Sequence, residues 1–205
     1  MDHTIVCLQP QQRDAAATLL AQAFSRDPIY VALLPDPEVR TRSAELMFRG
    51  VLTYVLRYGE VWTTDKLWGV AAWLPPGKTK VTFWRMLRTG FALARGMRGY
   101  PPQPRRTLLR VFSRQDKEHA ELVPEPHWYL WTLGVAPDRQ GHGVGSALLR
   151  PVLARADAAR VPCYLETETD YNVAFYRRRG FEVVRKAVAE EIGLPLWSMV
   201  RQPGA

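Results

Sequence analysis

The chain has 205 residues, 47% of them hydrophobic and 23% charged, which predicts one globular domain with a full core and excludes a disordered chain. Lys and Arg outnumber Asp and Glu by 28 to 20, for a formal net charge of +8, which fits anionic partners, either small molecules or nucleic acid. The two cysteines, Cys7 and Cys163, are too few for a disulfide scaffold and lack metal-ligand spacing, so a reducing, cytoplasmic setting and no metal site are predicted.

The sequence predicts no membrane association. Its N-terminal segment, MDHTIVCLQPQQRD, has no basic leader and only a short apolar core. Pro and charged residues interrupt every apolar run before it reaches the roughly 18 residues that cross a membrane. We therefore expect neither export nor membrane insertion.

The first part of the chain predicts a strand, a series of helices and a hairpin. A short strand is expected at IVCL, followed by a helix that Pro10 opens and a short Pro-bounded helix in DPIYVALLPDP. A longer amphipathic helix carries apolar residues from Ala44 to Val55 and is expected to end at Gly59. The segments VWTT and LWGVAAWL then predict a hairpin with Asp65 and Lys66 near its turn, and Pro75-Pro76-Gly77 is expected to end its second strand.

Two basic helices, over residues 79–99 and 104–122, are expected next, separated by the breaker YPPQP. The first helix and most of the second lie in a run of Lys and Arg that has no acidic residue between Asp65 and Asp116. The remainder predicts the strand HWYLWTLGV, a glycine loop, a helix, the strand CYLET, a helix at NVAFYRRR, and the strands FEVVRKAV and PLWSMV. This order predicts an α/β domain whose last strands are antiparallel.

A glycine-rich loop within WTLGVAPDRQGHGVGSALLRPVL connects a buried strand to a helix. Glycine lets the backbone approach a ligand, and the first N–H groups of a helix are unpaired, so the loop predicts an anionic ligand such as phosphate. The nucleotide P-loop is excluded because no Lys follows any of the glycines. A dinucleotide fingerprint needs glycine where Ser146 stands, although Glu166 lies at the distance expected for a ribose contact.

Two motifs resemble those of the GNAT acetyltransferases. The first is Q-x-x-G-x-G, from Gln140 to Gly145, and the second is N-x-A-F-Y-x-x-x-G-F, from Asn172 to Phe181. The resemblance covers most of the chain and is strongest over residues 127–201. Within the superfamily, YLETETDYNVAFYRRRGF, LWSMVRQPGA and AQAFSRDP are similar to segments of puromycin N-acetyltransferases, whereas the middle of the chain diverges.

The resemblance implies the GNAT acyltransferase fold, an α/β fold with a mixed, mostly antiparallel central sheet and splayed parallel strands flanked by helices. It implies a single domain over residues 1–205. The acceptor side would occupy about residues 1–125, and the core that binds acetyl-coenzyme A (acetyl-CoA) about residues 126–201.

Acetyl-CoA is the co-substrate that the resemblance implies. Its phosphates would lie on the glycine loop, flanked by Arg139 or Arg150, and its pantetheine arm would lie between the splayed strands. A backbone N–H near the end of the first of these strands would polarise the thioester carbonyl. The implied coenzyme-binding residues are Leu133, Gly134, Val135, Arg139, Gln140, Gly141, His142, Gly143, Val144, Gly145, Ser146, Asn172 and Tyr176.

Acetylation of an amine requires that the amine lose a proton and that the departing thiolate gain one. Asn172 and Tyr176 are four residues apart, hence on one face of a helix. The resemblance implies that Asn172 contacts the pantetheine arm and that Tyr176 is the acid. Glu166 is the predicted base, directly or through water, because it lies within the strand where the amine should arrive.

Three further residues are assigned to the acceptor side. Glu168 shares a strand face with Glu166 because strand side chains alternate. Asp27, in the sequence RDP, is either a helix cap or part of the acceptor site. His127 is either a second base or a hydrogen-bonded structural residue.

The predicted function is acetyl-CoA-dependent N-acetylation of a primary amine on a small molecule, such as an aminonucleoside, an antibiotic or a metabolite, in a ternary complex. The alternatives are acetylation of a protein or peptide, and a non-catalytic module that binds acyl-coenzyme A or nucleic acid. The basic run over residues 66–114 contains no known nucleic-acid motif, so no nucleic-acid partner is expected. Both a monomer and a homodimer are compatible with the sequence.

Overall fold

The computed structural model describes residues 3–205, whose strands form one seven-stranded sheet in the order β1-β2-β3-β4-β5-β7-β6. The strands are β1 (Ile5–Cys7), β2 (Glu60–Thr64), β3 (Gly69–Leu74), β4 (Trp128–Val135), β5 (Cys163–Thr167), β6 (Phe181–Ala189) and β7 (Leu194–Arg201). Neighbouring strands are antiparallel except β4 and β5, which are parallel. The predicted mixed, mostly antiparallel sheet is therefore confirmed. Residues 1 and 2, which belong to the N-terminal segment that is predicted to lack a leader, lie outside the described residues.

Helices connect most of the strands. They are α1 (Arg13–Ala23), α2 (Pro28–Leu33), α3 (Pro37–Tyr58), α4 (Phe83–Arg88), α5 (Ala92–Gly96), α6 (Pro102–Leu122), α7 (Val144–Ala159) and α8 (Asp170–Arg177). Side-chain caps define several of their first turns. At α3, for example, the Asp36 carboxylate accepts hydrogen bonds from the N–H groups of Glu38 and Val39 at 2.8 and 3.0 Å, which satisfies donors that the helix itself leaves unpaired.

The helices cover both faces of the sheet and form two cores. α1 and α3 pack on one face through a cluster that includes Leu20 and Leu52, and α7 packs on the other face through Leu148. β3 is buried along its whole length because its alternate residues point to opposite faces, with Val70 in the first core and Ala71 in the second. Burial on both faces makes β3 a rigid support for β4, which pairs with it.

β4 and β5 part soon after they begin. Their parallel pairing is limited to Trp128 with Cys163 and Tyr129 with Tyr164, although both strands continue well beyond it. Past this point β4 pairs with β3 and β5 pairs with β7, so the two edges that face each other have no strand partner. Their backbone N–H and C=O groups are therefore open to a ligand.

The prediction of one basic helix over residues 79–99 is wrong. This segment forms two short helices, α4 and α5, and a 3-10 turn. Thr89 ends α4 by placing its hydroxyl on two carbonyls of the last turn, a local bond that competes with the helix. Gly90 and Phe91 then adopt the left-handed conformation, with φ of 58° and 56°. A Cβ on Gly96 would lie 2.8 Å from a backbone oxygen of α3, so the break lets the chain pass closely over that helix.

Candidate active site

The glycine loop runs from the end of β4 to the start of α7 at Val144. Gly141 and Gly143 have φ of 78° and 82°, a conformation that glycine adopts without a steric penalty. A Cβ on Gly141 would meet nothing within 4 Å, and one on Gly143 would meet only the His3 ring, at 4.0 Å. The space above the loop is open, so its backbone N–H groups and the N-terminus of α7 can receive an anion.

Side-chain hydrogen bonds hold the loop in this shape. The Gln140 Nε2 donates to the Val135 carbonyl at 3.2 Å, and the His142 Nδ1–H donates to the Gln140 carbonyl at 2.8 Å. The His3 Nε2–H donates to the His142 carbonyl, also at 2.8 Å. Because a carbonyl only accepts, these bonds fix the donating nitrogen of each histidine. The loop is preorganised, which reduces the entropy that a ligand must remove.

A cleft of about 450 Å³ lies beside the loop, and its lining includes Ser146, Arg150, Arg178 and Arg179. The Arg179 guanidinium contacts the Ser146 hydroxyl and the Phe175 carbonyl, and it lies 3.5 Å from the centre of the Phe175 ring. Cationic side chains at this position favour phosphate groups. Sequence analysis identified Ser146 and Arg150 but missed Arg178 and Arg179, whose only signal is the RRR run inside the second motif.

Two other glycines near the loop, Gly134 and Gly145, are close to packed side chains and not to open space. A Cβ on Gly134 would lie 2.6 Å from Cδ2 of Leu20 in α1, and one on Gly145 would lie 3.2 Å from the Phe175 ring. Packing therefore disfavours a larger residue at positions 134 and 145, whether or not a ligand is bound. Leu133 and Val135 flank Gly134 in β4 and present alternate backbone groups to the gap between β4 and β5.

α8 places Asn172 and Tyr176 one turn apart. The Thr169 hydroxyl caps the helix by accepting the Asn172 N–H at 3.1 Å, so Asn172 lies in the first turn and is not itself the cap. The Tyr176 ring is buried and packs edge-on against Phe175. Burial and the charge of Glu168 raise the pKa of the Tyr176 hydroxyl well above its ordinary value, so the group stays protonated and can donate.

The structure brings the predicted carboxylates together at the end of β5. Burial raises the pKa of Glu166 to about 7, against the lowering influence of the nearby Tyr129 and Tyr164 hydroxyls. Burial, together with the charges of Asp27 and Glu166, raises the pKa of Glu168 to about 8. Burial raises the pKa of Asp27 to about 6, although its carboxylate caps α2 by accepting two backbone N–H groups at 3.0 and 3.3 Å.

Other polar residues around these carboxylates were not found from the sequence. Asp116 of α6 raises the pKa of Glu166 further, and its own pKa is raised by burial. Tyr100 is buried, and its pKa is raised by that burial and by the charge of Asp27. The Tyr129 and Tyr164 hydroxyls face the Glu166 carboxylate, and the Tyr30 hydroxyl faces that of Tyr100. These residues come from distant elements, so no local pattern signals them.

His127 lies just before β4 and belongs to a histidine pair. Its Nδ1–H donates to the Glu125 carbonyl at 2.6 Å, so its Nε2 accepts the Nε2–H of His119 at 2.5 Å. The His119 ring stacks on the Tyr164 ring, with 4.2 Å between centroids. Burial lowers the pKa of both histidines, to about 3 for His119. Both nitrogens of His127 are engaged in this arrangement, so neither is open to a substrate.

Arg139 lies on the outer side of the glycine loop. Its guanidinium is 4.7 Å from the centre of the Trp68 indole, and it pairs with Asp138 at 3.2 Å. The Lys66 ammonium lies 5.0 Å from the same indole. The structure thus places Arg139 beside the loop, with Trp68 as its stacking partner.

The described residues form neither a metal site nor a membrane-spanning helix. Among residues 3–205, no three His, Cys, Asp or Glu side chains come together in a way that could hold a metal ion. No helix in this part of the chain combines the length and the apolar character needed to cross a membrane. Cys7 is exposed, Cys163 is buried, and both are free thiols.

Comparison with known proteins identifies acetyltransferases. The model of the acetyltransferase (GNAT) family matches residues 90–181. An uncharacterised N-acetyltransferase of Schizosaccharomyces pombe is 26% identical over 199 residues, which cover 93% of this chain and 79% of that protein. The N-alpha-acetyltransferase RimI of Mycobacterium tuberculosis is 33% identical over 84 residues, or 40% of this chain and 53% of that protein.

Solved acetyltransferases share the fold. A structure from Corynebacterium glutamicum, called histone acetyltransferase HPA2 and related acetyltransferase, has a TM-score of 0.68 at 22% identity and covers 100% of this chain and 98% of its own. A GNAT acetyltransferase from Brucella melitensis in complex with acetyl-CoA has a TM-score of 0.51 at 16% identity, covering 100% and 90%. The resemblance to puromycin N-acetyltransferases is not specifically supported by these relatives and stays a prediction.

Proposed function

We propose that this chain, which belongs to the GNAT family of acetyltransferases, transfers the acetyl group of acetyl-CoA to a primary amine of a small molecule, by direct attack in a ternary complex. The observation that carries the proposal is the gap between β4 and β5. The open glycine loop lies at one end of this gap, Glu166 lies in β5, and Glu168 follows its last residue.

The residues around the gap fit acetyl-CoA as co-substrate. The backbone N–H groups of the loop, from Gln140 to Gly145, and the start of α7 would hold the pyrophosphate. Arg150 and Arg179 line the adjoining cleft and would neutralise phosphate charge. The unpaired edges of β4 and β5 would bond the amides of the pantetheine arm, with Asn172 as a side-chain contact.

Glu166 is the base in this mechanism. Its pKa of about 7 lies near neutral pH, where a general base is both ionised in part and strong enough to accept a proton. The amine nitrogen forms a bond to the thioester carbonyl carbon while its proton passes to the Glu166 carboxylate, directly or through one water. Holding both reactants in this gap supplies much of the rate by orientation.

Tyr176 is the acid. As the bond between carbonyl carbon and sulfur breaks, the hydroxyl gives its proton to the departing thiolate and later regains one from solvent. The raised pKa of Tyr176 keeps the proton on the hydroxyl until the thiolate forms. A backbone N–H of Leu133 to Val135 would stabilise the negative charge on the carbonyl oxygen.

The walls of the acceptor side support a small molecule. Tyr100 and Tyr164 are buried there, and Tyr129 packs against the neighbouring cluster. Aromatic walls with a few polar groups are typical of small-molecule sites. Asp27 and Glu168 line the same side, where they would attract a cationic amine.

Thiol release from acetyl-CoA tests the proposal. A panel of small amines is compared with peptides that have free N-termini, and the products are identified by mass spectrometry. We expect thiol release to match the amount of acetylated small amine. Glu166→Gln should lower kcat/KM by roughly 10²–10⁴-fold, whereas Glu182→Gln, which changes an exposed residue of β6, should not.

Peptide acetylation is a second candidate, because the partial relative from Mycobacterium tuberculosis is named an N-alpha-acetyltransferase. In that case the same panel would yield acetylated peptides, with little turnover of any small amine. This result would replace the small-molecule proposal while leaving the roles of Glu166 and Tyr176 open to the same variants.

A further inference from the structure

The short helix α4 carries an apolar surface that the mechanism above does not use. None of its six residues is buried, whereas every other α-helix in residues 3–205 has buried residues. Phe83 and Trp84 are 63% and 66% exposed, and Leu87, one turn further on the same face, is 45% exposed. Val81, just before the helix, is also exposed. Large apolar side chains exposed together mark a surface that binds a partner.

Specific contacts hold these apolar side chains in place. The Arg85 guanidinium, on the opposite face of α4, donates to three carbonyls of the preceding loop at 2.8, 2.9 and 3.0 Å. It also lies 5.6 Å from the centre of the Tyr58 ring, in the last turn of α3. The Phe83 ring packs edge-on against the Trp84 and Phe91 rings. The exposed face of α4 is therefore an ordered surface.

Exposed cations lie on both sides of the apolar residues. Lys78 and Lys80 precede them and Arg88 follows them, and all three are exposed. Within residues 3–205, none of the three forms an ion pair with an acidic side chain, and the sequence has no acidic residue between Asp65 and Asp116. Such a surface complements an anionic partner. A second copy of this chain would bring like charges together.

We propose that α4 binds the surface of an anionic membrane. Phe83, Trp84 and Leu87 insert at the level of the lipid headgroups, and the flanking cations contact the anionic headgroups. Trp and Phe beside Lys and Arg are typical of helices that lie in the membrane interface, whereas Lys is depleted in protein–protein interfaces. The sequence expectation of no membrane association considers export and spanning segments, and a helix that lies on the membrane needs neither.

Co-sedimentation with lipid vesicles tests the proposal in the absence of acetyl-CoA and amine. The protein is mixed with vesicles of phosphatidylcholine alone, or of equal parts phosphatidylcholine and phosphatidylglycerol. Each cation near an anionic membrane strengthens binding roughly fivefold, so the three cations predict about 10²-fold tighter binding to the anionic vesicles. This preference should weaken as the salt concentration rises.

The double variant Phe83→Ser/Trp84→Ser tests the apolar contribution. Its binding to anionic vesicles should fall at least about tenfold, because two aromatic side chains no longer leave water on insertion. Tyr171→Ser is the matched control, since Tyr171 is an aromatic residue of α8 that is 73% exposed, and it should bind as the wild type does. Thermal melting checks that each variant folds.

A second double variant, Lys80→Glu/Arg88→Glu, tests the charges. It should abolish the preference for anionic vesicles. The control is Lys117→Glu/Arg160→Glu, which changes the net charge by the same amount at two exposed residues outside α4 and its flanks and should keep most of the preference.

The emission of Trp84 reports where the protein meets the membrane. Trp84 is the one exposed residue among the seven tryptophans, so insertion should shift the fluorescence of the wild type to shorter wavelength. Trp84→Phe retains an aromatic ring and should still bind anionic vesicles, but it should lose most of this shift.

Three results would overturn the proposal. The first is no binding to either kind of vesicle, and the second is wild-type binding by Phe83→Ser/Trp84→Ser. The third is tighter binding to a single-stranded RNA than to anionic vesicles, lost in the same variant, which would assign the surface to nucleic acid. None of these results depends on acetylation, so the proposed function is tested separately.

Discussion

The coenzyme side and the acceptor side of the gap are built in different ways. The coenzyme side consists largely of backbone from one continuous stretch, in which Gly141 and Gly143 leave open space above the loop. The acceptor side consists of side chains from elements far apart in the chain, including Asp27, Tyr100 and Glu166. A site made of contiguous backbone leaves a motif in the sequence, whereas a site made of scattered side chains does not.

The two sides also differ in charge. The cleft beside the loop is lined by Arg150, Arg178 and Arg179, as suits a ligand with several phosphates. The proposed acceptor side contains the carboxylates of Asp27, Glu166 and Glu168, within a chain of net charge +8. The net charge of the chain therefore does not predict the charge of this side. The following predictions test whether the two sides have the separate roles assigned to them.

Tyr176→Phe should have the largest effect, because the proposed role of Tyr176 is to protonate the thiolate between the two substrates. The change removes one oxygen and leaves the ring packing against Phe175 in place. If the hydroxyl protonates the thiolate, kcat falls by roughly 10²–10⁴-fold, with little change in the KM for acetyl-CoA. Steady-state kinetics and thermal melting measure both quantities. A normal kcat together with a lower melting temperature would make Tyr176 a structural residue.

Gly143→Leu should abolish coenzyme binding and leave the fold intact. A side chain at this position enters the open space above the loop, and its φ of 82° adds a strain of roughly 1–2 kcal/mol. Acetyl-CoA raises the melting temperature of a protein that binds it in the native state, and this shift should be lost in the variant.

Gly77→Leu is the control for backbone strain. Gly77 has a similar φ of 74° and equally open surroundings, but it lies in the turn after β3. It should lose about as much stability and keep the shift caused by acetyl-CoA. A full shift in Gly143→Leu would contradict the assignment of the loop.

The dependence of kcat/KM on pH tests the acceptor side. A base with a pKa of about 7 must be ionised to act, so kcat/KM should fall about tenfold per pH unit below that value. The groups that face Glu166 are the hydroxyls of Tyr129 and Tyr164 and the carboxyls of Asp116 and Glu168. In Glu166→Gln this fall of kcat/KM at low pH should disappear. Its persistence would assign the titration to another group.

Glu168→Gln should change stability in a direction that depends on pH. The folded pKa of Glu168, about 8, lies above its ordinary value of 4.5, so the folded chain holds more protons between these values and its free energy of unfolding falls as pH rises through them. The variant should therefore melt at a higher temperature than the wild type above pH 8, and gain nothing below pH 4.5. Glu182→Gln, on the exposed edge of β6, should show neither effect.

Much of the coenzyme half could be predicted from the sequence. The strand at CYLET forms β5 over Cys163–Thr167 because a short apolar run between turn signals has few other structures open to it. Asn172 and Tyr176 share a helix face as their spacing predicts. Local periodicity and motif spacing carry this information directly.

The remainder depends on contacts between distant segments. Residues 79–99 do not form one helix, because close passage over α3 requires a break at Gly90 and Phe91. Tyr100, just before α6, and Asp116, within α6, come near Asp27 and Glu166 only through tertiary packing. Such contacts have no period or spacing in the sequence, so tertiary packing decides them.

The central claim is that the two sides hold acetyl-CoA and the amine at the same time. Initial rates measured with both substrates varied test it most directly, with mass spectrometry of the protein after incubation with acetyl-CoA alone. Direct transfer from acetyl-CoA to the amine predicts double-reciprocal lines that intersect and a protein that carries no acetyl group. Parallel lines together with an acetylated protein would show a covalent intermediate and contradict the account.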